Sequence, residues 1–215
     1  MINQRNLVIY RLYAPVYDAV MRPVMNTARR REIDRLQLQA GEHVLISGAG
    51  TGLDLPLIPA GVHITAIDLS PAMLDRARHK AAGRDVSFIE MDAQALKFAD
   101  STFDAVILNL ILSVVPDGAT AFREAWRVLK PGGRAVIFDK FLPENSTLSP
   151  LRRTLGRVIV ALGTDPNRRL SEIIGGVPDV SVEHDGPGLL RGQYRIVVLR
   201  KPDVSRAVKA EGKWT

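Results

Sequence analysis

An apolar strand that runs straight into alternating glycines constrains this chain more than any other feature. Val44-Leu45-Ile46-Ser47 leads into Gly48-Ala49-Gly50-Thr51-Gly52, and a helical pattern starts soon after. Glycine in such a loop allows backbone angles that other residues avoid and lets a ligand lie against the main chain. The surrounding pattern agrees with a strand-loop-helix unit. Short apolar runs at residues 43–47, 63–68, 86–90, 103–108 and 134–138 alternate with helical stretches, notably 71–82 and 119–129. Strands rich in Val, Ile and Leu that alternate with helices predict βαβ units and a mostly parallel sheet covered on both faces. Residues 180–183 and 194–199, with a turn expected at Gly186-Pro187-Gly188, predict a C-terminal hairpin that closes the sheet.

Two acids follow the glycine loop at informative places. Asp68 ends the second strand, where a carboxylate can accept both hydroxyl protons of a ribose. Asp92 ends the third strand pattern, where a carboxylate can accept from an exocyclic adenine amine. Each has a plainer reading, since Asp68 before Ser70-Pro71 also suits a helix cap. Together they point to an adenosine at the carboxyl ends of the strands, the ligand edge of open α/β sheets. A nicotinamide dinucleotide fits poorly, because the sixth position counted from Gly48 is Leu53 rather than Gly. A phosphate loop of the Gly-x-x-x-x-Gly-Lys type is also absent. The ligand is therefore one without a pyrophosphate.

The flanks differ from this middle segment. Residues 16–36 carry Val16, Tyr17, Val20, Met21, Val24 and Ala28 at helical spacing, with Arg29 to Arg31 on or near the polar side and Pro23 as a bend. A shorter helix is expected before Pro15. Residues 148–175 again read as helical, broken near 163–166, and 203–215 as a polar tail. The 215 residues fit one domain with a small appendage. Residues 1–40 hold seven Arg against three acids, 41–150 ten basic groups against thirteen acids, and 151–215 twelve against seven. A mildly acidic centre between basic flanks suits an anionic surface, though solvated helix faces look the same.

The chain has no cysteine, which excludes disulfide scaffolds, thiolate zinc sites and cysteine nucleophiles, and its four histidines lack metal-ligand spacing. No metal is expected. The longest apolar run, residues 105–115, is shorter than the roughly 20 residues a membrane span needs. Without a recognisable signal peptide, a cytoplasmic location is expected. Aromatic residues make up 6% of the chain and do not interleave the arginine clusters, so nucleic acid is a poor partner.

The glycine loop, Ile67-Asp68-Leu69-Ser70-Pro71-Ala72-Met73-Leu74, Met91-Asp92-Ala93-Gln94, Phe98-Ala99-Asp100-Ser101-Thr102-Phe103-Asp104 and Val128-Leu129-Lys130-Pro131-Gly132-Gly133 together resemble the class I S-adenosylmethionine (SAM)-dependent methyltransferases. The resemblance implies a Rossmann-like seven-stranded sheet with helices on both faces, an antiparallel C-terminal strand, and SAM as cofactor. By the same resemblance Gly48, Ala49, Gly50 and Gly52 pass under the methionine portion and Asp68 holds the ribose. Leu69 and Met73 pack on the adenine, Asp92 and Ala93 meet its amino edge, and Asn109 and Leu110 line the methyl-donor end. Serine stands at position 47, where the family usually has an acid that helps orient the methionine amino group.

Tyr13-Ala14-Pro15-Val16-Tyr17-Asp18 before an arginine-rich helix is similar to the branch holding bacterial phosphatidylethanolamine N-methyltransferases and ubiquinone/menaquinone methyltransferases. That likeness implies a helical lid over residues 1–40, a SAM-binding domain over 41–202, and acceptor-site helices at 141–175. Methyl transfer from a sulfonium needs alignment and exclusion of water more than a dedicated base. Tyr10, Tyr13 and Tyr17 are candidates to line the catalytic pocket and hold a methylated ammonium by cation–π contact, with Tyr17 also touching the cofactor. Lys140, Arg152 and Arg153 are candidates to meet an anionic acceptor, and the basic amphipathic helix over 151–159 suits a peripheral membrane contact. The expected acceptor is a phospholipid head group, phosphatidylethanolamine first. A small soluble acceptor or a quinone precursor is the alternative, and a non-catalytic SAM-binding role the second.

Overall fold

The computed structural model describes residues 25–144, 167–189 and 192–203. Seven strands form one sheet: β1 (His43–Ser47), β2 (His63–Asp68), β3 (Asp85–Glu90), β4 (Phe103–Asn109), β5 (Leu129–Lys140), β6 (Ser181–Leu189) and β7 (Tyr194–Arg200). Their order is β3-β2-β1-β4-β5-β7-β6. Strands β1 to β5 are mutually parallel, and β7 runs antiparallel to both of its neighbours. The helices are α1 (residues 25–36), α2 (Pro71–Arg78), α3 (Gly118–Val128) and α4 (Leu170–Ile174).

Pleating sends alternate strand residues to opposite faces. Val44 and Ile46 of β1 join Ala105 and Ile107 of β4 on one face, which Met25, Ala28 and Leu36 of α1 cover. Leu45, Val106, Leu108 and Ile137 form the other face, covered by Phe122 and Trp126 of α3 and by Ile173 of α4. The middle strands are buried on both sides, which explains why β1 and β4 read as nearly continuous apolar runs. Asp117 caps α3, its side chain accepting from the Thr120 N–H at 3.0 Å. The chain moves outward from β1 to β2 and β3, then returns to place β4 on the other side of β1. The reversal makes a switch point between β1 and β4, the usual mouth of a ligand crevice in such sheets.

Two expectations need correction. Gly186-Pro187-Gly188 is no turn but part of β6, which continues to Leu189. Proline is tolerated there because β6 is the sheet edge. A Cβ on Gly188 would come within 2.9 Å of the Phe138 ring, so close packing on β5 explains that glycine. The second correction concerns Arg29, which faces inward with Met25 and Ala28 rather than lying on the polar side of α1. The helix expected over 71–82 ends at Arg78, and the expected helix over 16–36 is described from residue 25 onward. The helix expected before Pro15 and the part of the 148–175 stretch up to residue 166 lie outside the described residues, and the remainder of that stretch holds α4.

Candidate functional site

The carboxyl ends of five adjacent strands meet along one edge. Ser47 with the glycine loop ends β1, Asp68 ends β2, and Asp92 with Ala93 follows β3. Asn109 with Leu110 follows along β4, and Lys140 ends β5. All these predicted site residues are thus neighbours in the order of the sheet. Tyr10, Tyr13, Tyr17, Arg152 and Arg153 lie outside the described residues.

The loop's geometry comes from its hydrogen bonds and glycines. Gly48 and Ala49 both donate from their backbone N–H to the Ile67 carbonyl, at 3.0 and 2.7 Å, which folds the loop back over β2. The Gly50 N–H then donates to Asp68 Oδ2 at 2.8 Å, while the Ser70 N–H donates to Asp68 Oδ1 at 2.9 Å. Both carboxylate oxygens are thereby oriented, and each keeps lone-pair capacity for a further donor. Burial pushes the Asp68 carboxyl above its ordinary value, and the N–H groups of Ser70, Gly50 and Leu69 pull in the opposite direction. Asp68 therefore serves the local turn and the site edge together. At Gly50, φ is +54° and a Cβ would meet nothing within 4 Å. The loop is open at that point, with room for a ligand against the main chain. Gly52 is the opposite case, since a Cβ there would sit 2.9 Å from Ala77 Cα of α2.

Asp92 closes a tight local turn, its Oδ1 accepting from the Gln94 N–H at 2.9 Å. Ala93 and Met73 are buried beside the edge and Leu69 is half-buried, which gives a mostly apolar wall between β2 and β3. Leu110 adopts φ +56°, a left-handed conformation unusual for leucine, and its N–H donates to the Phe138 carbonyl at 2.8 Å. Backbone strain of this kind persists where surrounding contacts impose it and often marks a site.

Several residues at this edge were not singled out from sequence. Asp139 is fully buried and accepts from the Ser113 N–H at 3.0 Å and from the Lys140 N–H at 2.8 Å. Burial pushes its carboxyl up, against the pull of those donors. Arg168 donates to the carbonyls of Leu112, Val115 and Pro116, the last two at 2.7 and 2.8 Å. Together they hold the loop after β4, the segment directly beside Asn109. On the α1 face, Arg29 pairs with Asp54 just beyond the glycine loop, and Glu32 accepts from Asn109. Burial is the main cause that drives the Glu32 carboxyl well above its ordinary value; Asp54 adds to the shift, while Arg29 and Asn109 oppose it. A sequence signal for the last pair existed: Arg29 and Glu32 occupy positions at apolar spacing with Met25, Ala28 and Leu36.

The site's residue types suit an adenosine bearing a polar tail. An oriented carboxylate ends β2, an apolar wall lies beside it, the loop is bare at Gly50, and a buried amide ends β4. The buried Oγ of Ser47 has no hydrogen-bond partner among the described residues. These features fit SAM.

The profile of the family described as "Methyltransferase domain" matches residues 45–137. The phosphatidylethanolamine N-methyltransferase of Cereibacter sphaeroides is 36% identical over 152 residues, covering 69% of this chain and 74% of that protein. A demethylmenaquinone methyltransferase of Paenarthrobacter aurescens is 34% identical over 179 residues, covering 77% and 70%. Among solved structures, a chain from the complex of the Haloferax volcanii Trm112 methyltransferase activator with a methyltransferase superposes with a TM-score of 0.73 at 20% identity, covering 90% of this chain and 97% of that chain. A SAM-dependent methyltransferase from Thermotoga maritima gives 0.63 at 20% identity, covering 90% and 98%. At such identities the structural likeness speaks for the fold.

Proposed function

The chain belongs to the class I SAM-dependent methyltransferases, and from that premise we propose that it methylates the amine of a phosphatidylethanolamine head group at a membrane surface. The likeness to the Cereibacter sphaeroides enzyme carries this reading. Two features of the fold support it. Arg30, Arg31 and Arg35 are exposed on α1, with no ion pair to them among the described residues, and a basic helix face suits anionic lipid. Leu110, Leu189 and Tyr194 pack on the apolar cluster that holds Phe138, near the ends of β4 and β5 and the start of β7, and the Tyr194 and Phe138 ring centroids are 5.7 Å apart. An apolar wall there suits the region below a lipid head group. Among the described residues, no helix is long and apolar enough to cross a membrane.

SAM, when bound, supplies a methyl group already activated on a sulfonium. In this reading Gly48, Ala49, Gly50 and Gly52 support the methionine portion and Asp68 accepts from the ribose hydroxyls. Leu69 and Met73 cover the adenine, Asp92 and Ala93 meet its amino edge, and Asn109 and Leu110 border the donor end, with Ser47 at the end of the neighbouring strand β1. The chain's own part would be to hold the acceptor amine, with its lone pair free, in line with that methyl group and to keep water out, the proton released by the methylated amine passing to solvent. Alignment of donor and acceptor supplies about 7–11 kcal/mol in well-oriented reactions. Lys140, Arg152 and Arg153 would meet the lipid phosphate, and Tyr10, Tyr13 and Tyr17 of a lid over residues 1–40 would enclose the methyl donor. Residues 41–202 then form the SAM-binding domain, with acceptor helices at 141–175.

A second reading has its own support. The demethylmenaquinone methyltransferase of Paenarthrobacter aurescens matches a larger share of this chain, and the same apolar wall suits a prenylated ring. Methyl-labelled SAM, offered with vesicles containing phosphatidylethanolamine and anionic lipid, separates the two. Label in the phosphatidylethanolamine fraction is expected. No lipid label, with label entering demethylmenaquinone in parallel vesicles, would replace the first reading by the second.

A further inference from the structure

Two buried acceptor atoms at the end of β4 lack a donor. Glu32 is fully buried on α1, and its Oε1 accepts from Asn109 Nδ2. Its Oε2 and the Asn109 Oδ1 have no hydrogen-bond partner among the described residues. Buried polar atoms are nearly always partnered, so two atoms left open on one hydrogen-bonded pair of residues call for an explanation. Charge narrows the choice. Arg29 is bonded to Asp54, and both act on Glu32, so two carboxylates share one guanidinium. Among the described residues the cluster sets two carboxylates and an amide against one guanidinium, with one surplus negative charge when both acids are ionised. Such a cluster selects a cationic donor with more than one N–H.

The established cofactor carries that group, the α-ammonium of its methionine portion. Position agrees. Asn109 is the last residue of β4, and β4 pairs with β1, whose end begins the glycine loop. Asn109 therefore sits at the switch point, on the strand next to the one that leads into the glycine loop. Ser47 is uncharged, and pleating sends it to the sheet face opposite Asn109.

We propose that the Asn109–Glu32 pair seats the α-ammonium of SAM, Asn109 accepting from it through Oδ1 and Glu32 acting as a positioning residue. An ionised carboxylate only accepts, so it holds the Nδ2 of Asn109 towards α1 and presents Oδ1 to the ligand. It also supplies the counter-charge through one amide. The N-terminal helix thereby contributes a charge that β1 does not carry.

Binding of S-adenosylhomocysteine and of 5′-methylthioadenosine to the full chain tests this without any acceptor. The second ligand keeps the adenosine and sulfur but has no amino-acid tail. Glu32→Gln is expected to weaken S-adenosylhomocysteine about 10- to 100-fold, the loss typical of one charge-assisted hydrogen bond. Its affinity for 5′-methylthioadenosine should stay within about twofold, a change worth only a few tenths of a kcal/mol. The double variant Glu32→Gln/Asn109→Asp moves the carboxylate onto β4, where the amide introduced on α1 can donate to it, and should recover most of the loss. Should Glu32→Gln not fold, Asn109→Ala gives the same two-ligand comparison. Equal losses for both ligands would assign the pair a purely structural role, and unchanged binding of both would place the ammonium elsewhere. Either result overturns the proposal. Because no acceptor is present, a failure here is separate from a failure of the phospholipid reading.

Discussion

Gly50 and Gly52 lie two residues apart in one loop, yet alanine should affect them in opposite ways. Both have positive φ, +54° and +78°. A side chain in that region costs about 1–2 kcal/mol, of which restriction of the unfolded chain returns about 0.4–1 kcal/mol. Gly50→Ala adds nothing further, since its Cβ meets open space, and the net loss is about 1 kcal/mol. Gly52→Ala drives its Cβ to 2.8 Å from Ala77 Cβ and 2.9 Å from Ala77 Cα. Those atoms belong to the packed face of α2 and cannot swing aside, so an overpacking cost of about 1–3 kcal/mol is added. Gly52→Ala should therefore lose about 2–4 kcal/mol, a large share of the ~5–15 kcal/mol a domain usually has. Urea unfolding with an unchanged slope would show the midpoint of Gly52→Ala well below that of Gly50→Ala. Cofactor binding should rank the two by the other criterion: Gly50→Ala stays folded but loses affinity, because its methyl occupies the ligand's space. Equal midpoints, or full affinity in Gly50→Ala, would refute the assignment of open and closed sides to this loop.

Arg29→Met leaves Asp54 and Glu32 buried without their guanidinium and should cost about 3–5 kcal/mol by urea unfolding. Glu32 has a carboxyl value raised above its ordinary one, so the ligand-free fold holds that proton more tightly than the unfolded chain does. Its contribution is full below the ordinary carboxyl range and is lost as pH rises through the raised value. Glu32→Gln removes this loss, so the thermal midpoint of the ligand-free variant should gain on wild type as pH climbs from acid to neutral. A difference that does not change with pH would show that Glu32 does not titrate between the folded and unfolded states. Asp68→Asn keeps an acceptor for the Gly50 and Ser70 N–H groups on only one oxygen, and SAM affinity measured by calorimetry should fall about tenfold or more. Arg168→Met releases the Leu112, Val115 and Pro116 carbonyls, and hydrogen exchange in residues 110–116 should quicken while SAM affinity holds.

Where the candidate site residues stand in the sheet is legible because those signals are local. A strand of Val, Leu and Ile followed by glycines, and an acid at the end of the next strand, are placed by neighbours a few residues away. Strand limits at His43–Ser47 and His63–Asp68 match the apolar runs for that reason. Charged residues on α1 were harder. The Arg29–Asp54 and Glu32–Asn109 pairs span 25 and 77 positions, and nothing near Glu32 in sequence announces Asn109. Their only local trace is charge at apolar spacing, which a solvated helix end also produces. Gly186-Pro187-Gly188 misled for a related reason. Glycine and proline mark turns through local backbone preference, but here an edge strand tolerates the proline and Phe138 of β5 leaves no room for a side chain on Gly188.

The order of strands and helices, the glycine loop and the acids at the strand ends follow from the sequence alone, since each is set by neighbours along the chain. Which way α1 turns its charged residues, which carbonyls Arg168 holds, and how Asp139 fixes the loop after β4 were decided only by tertiary structure. Those contacts depend on which elements the sheet brings side by side, and burial gives a carboxylate its meaning only once its distant partners are known.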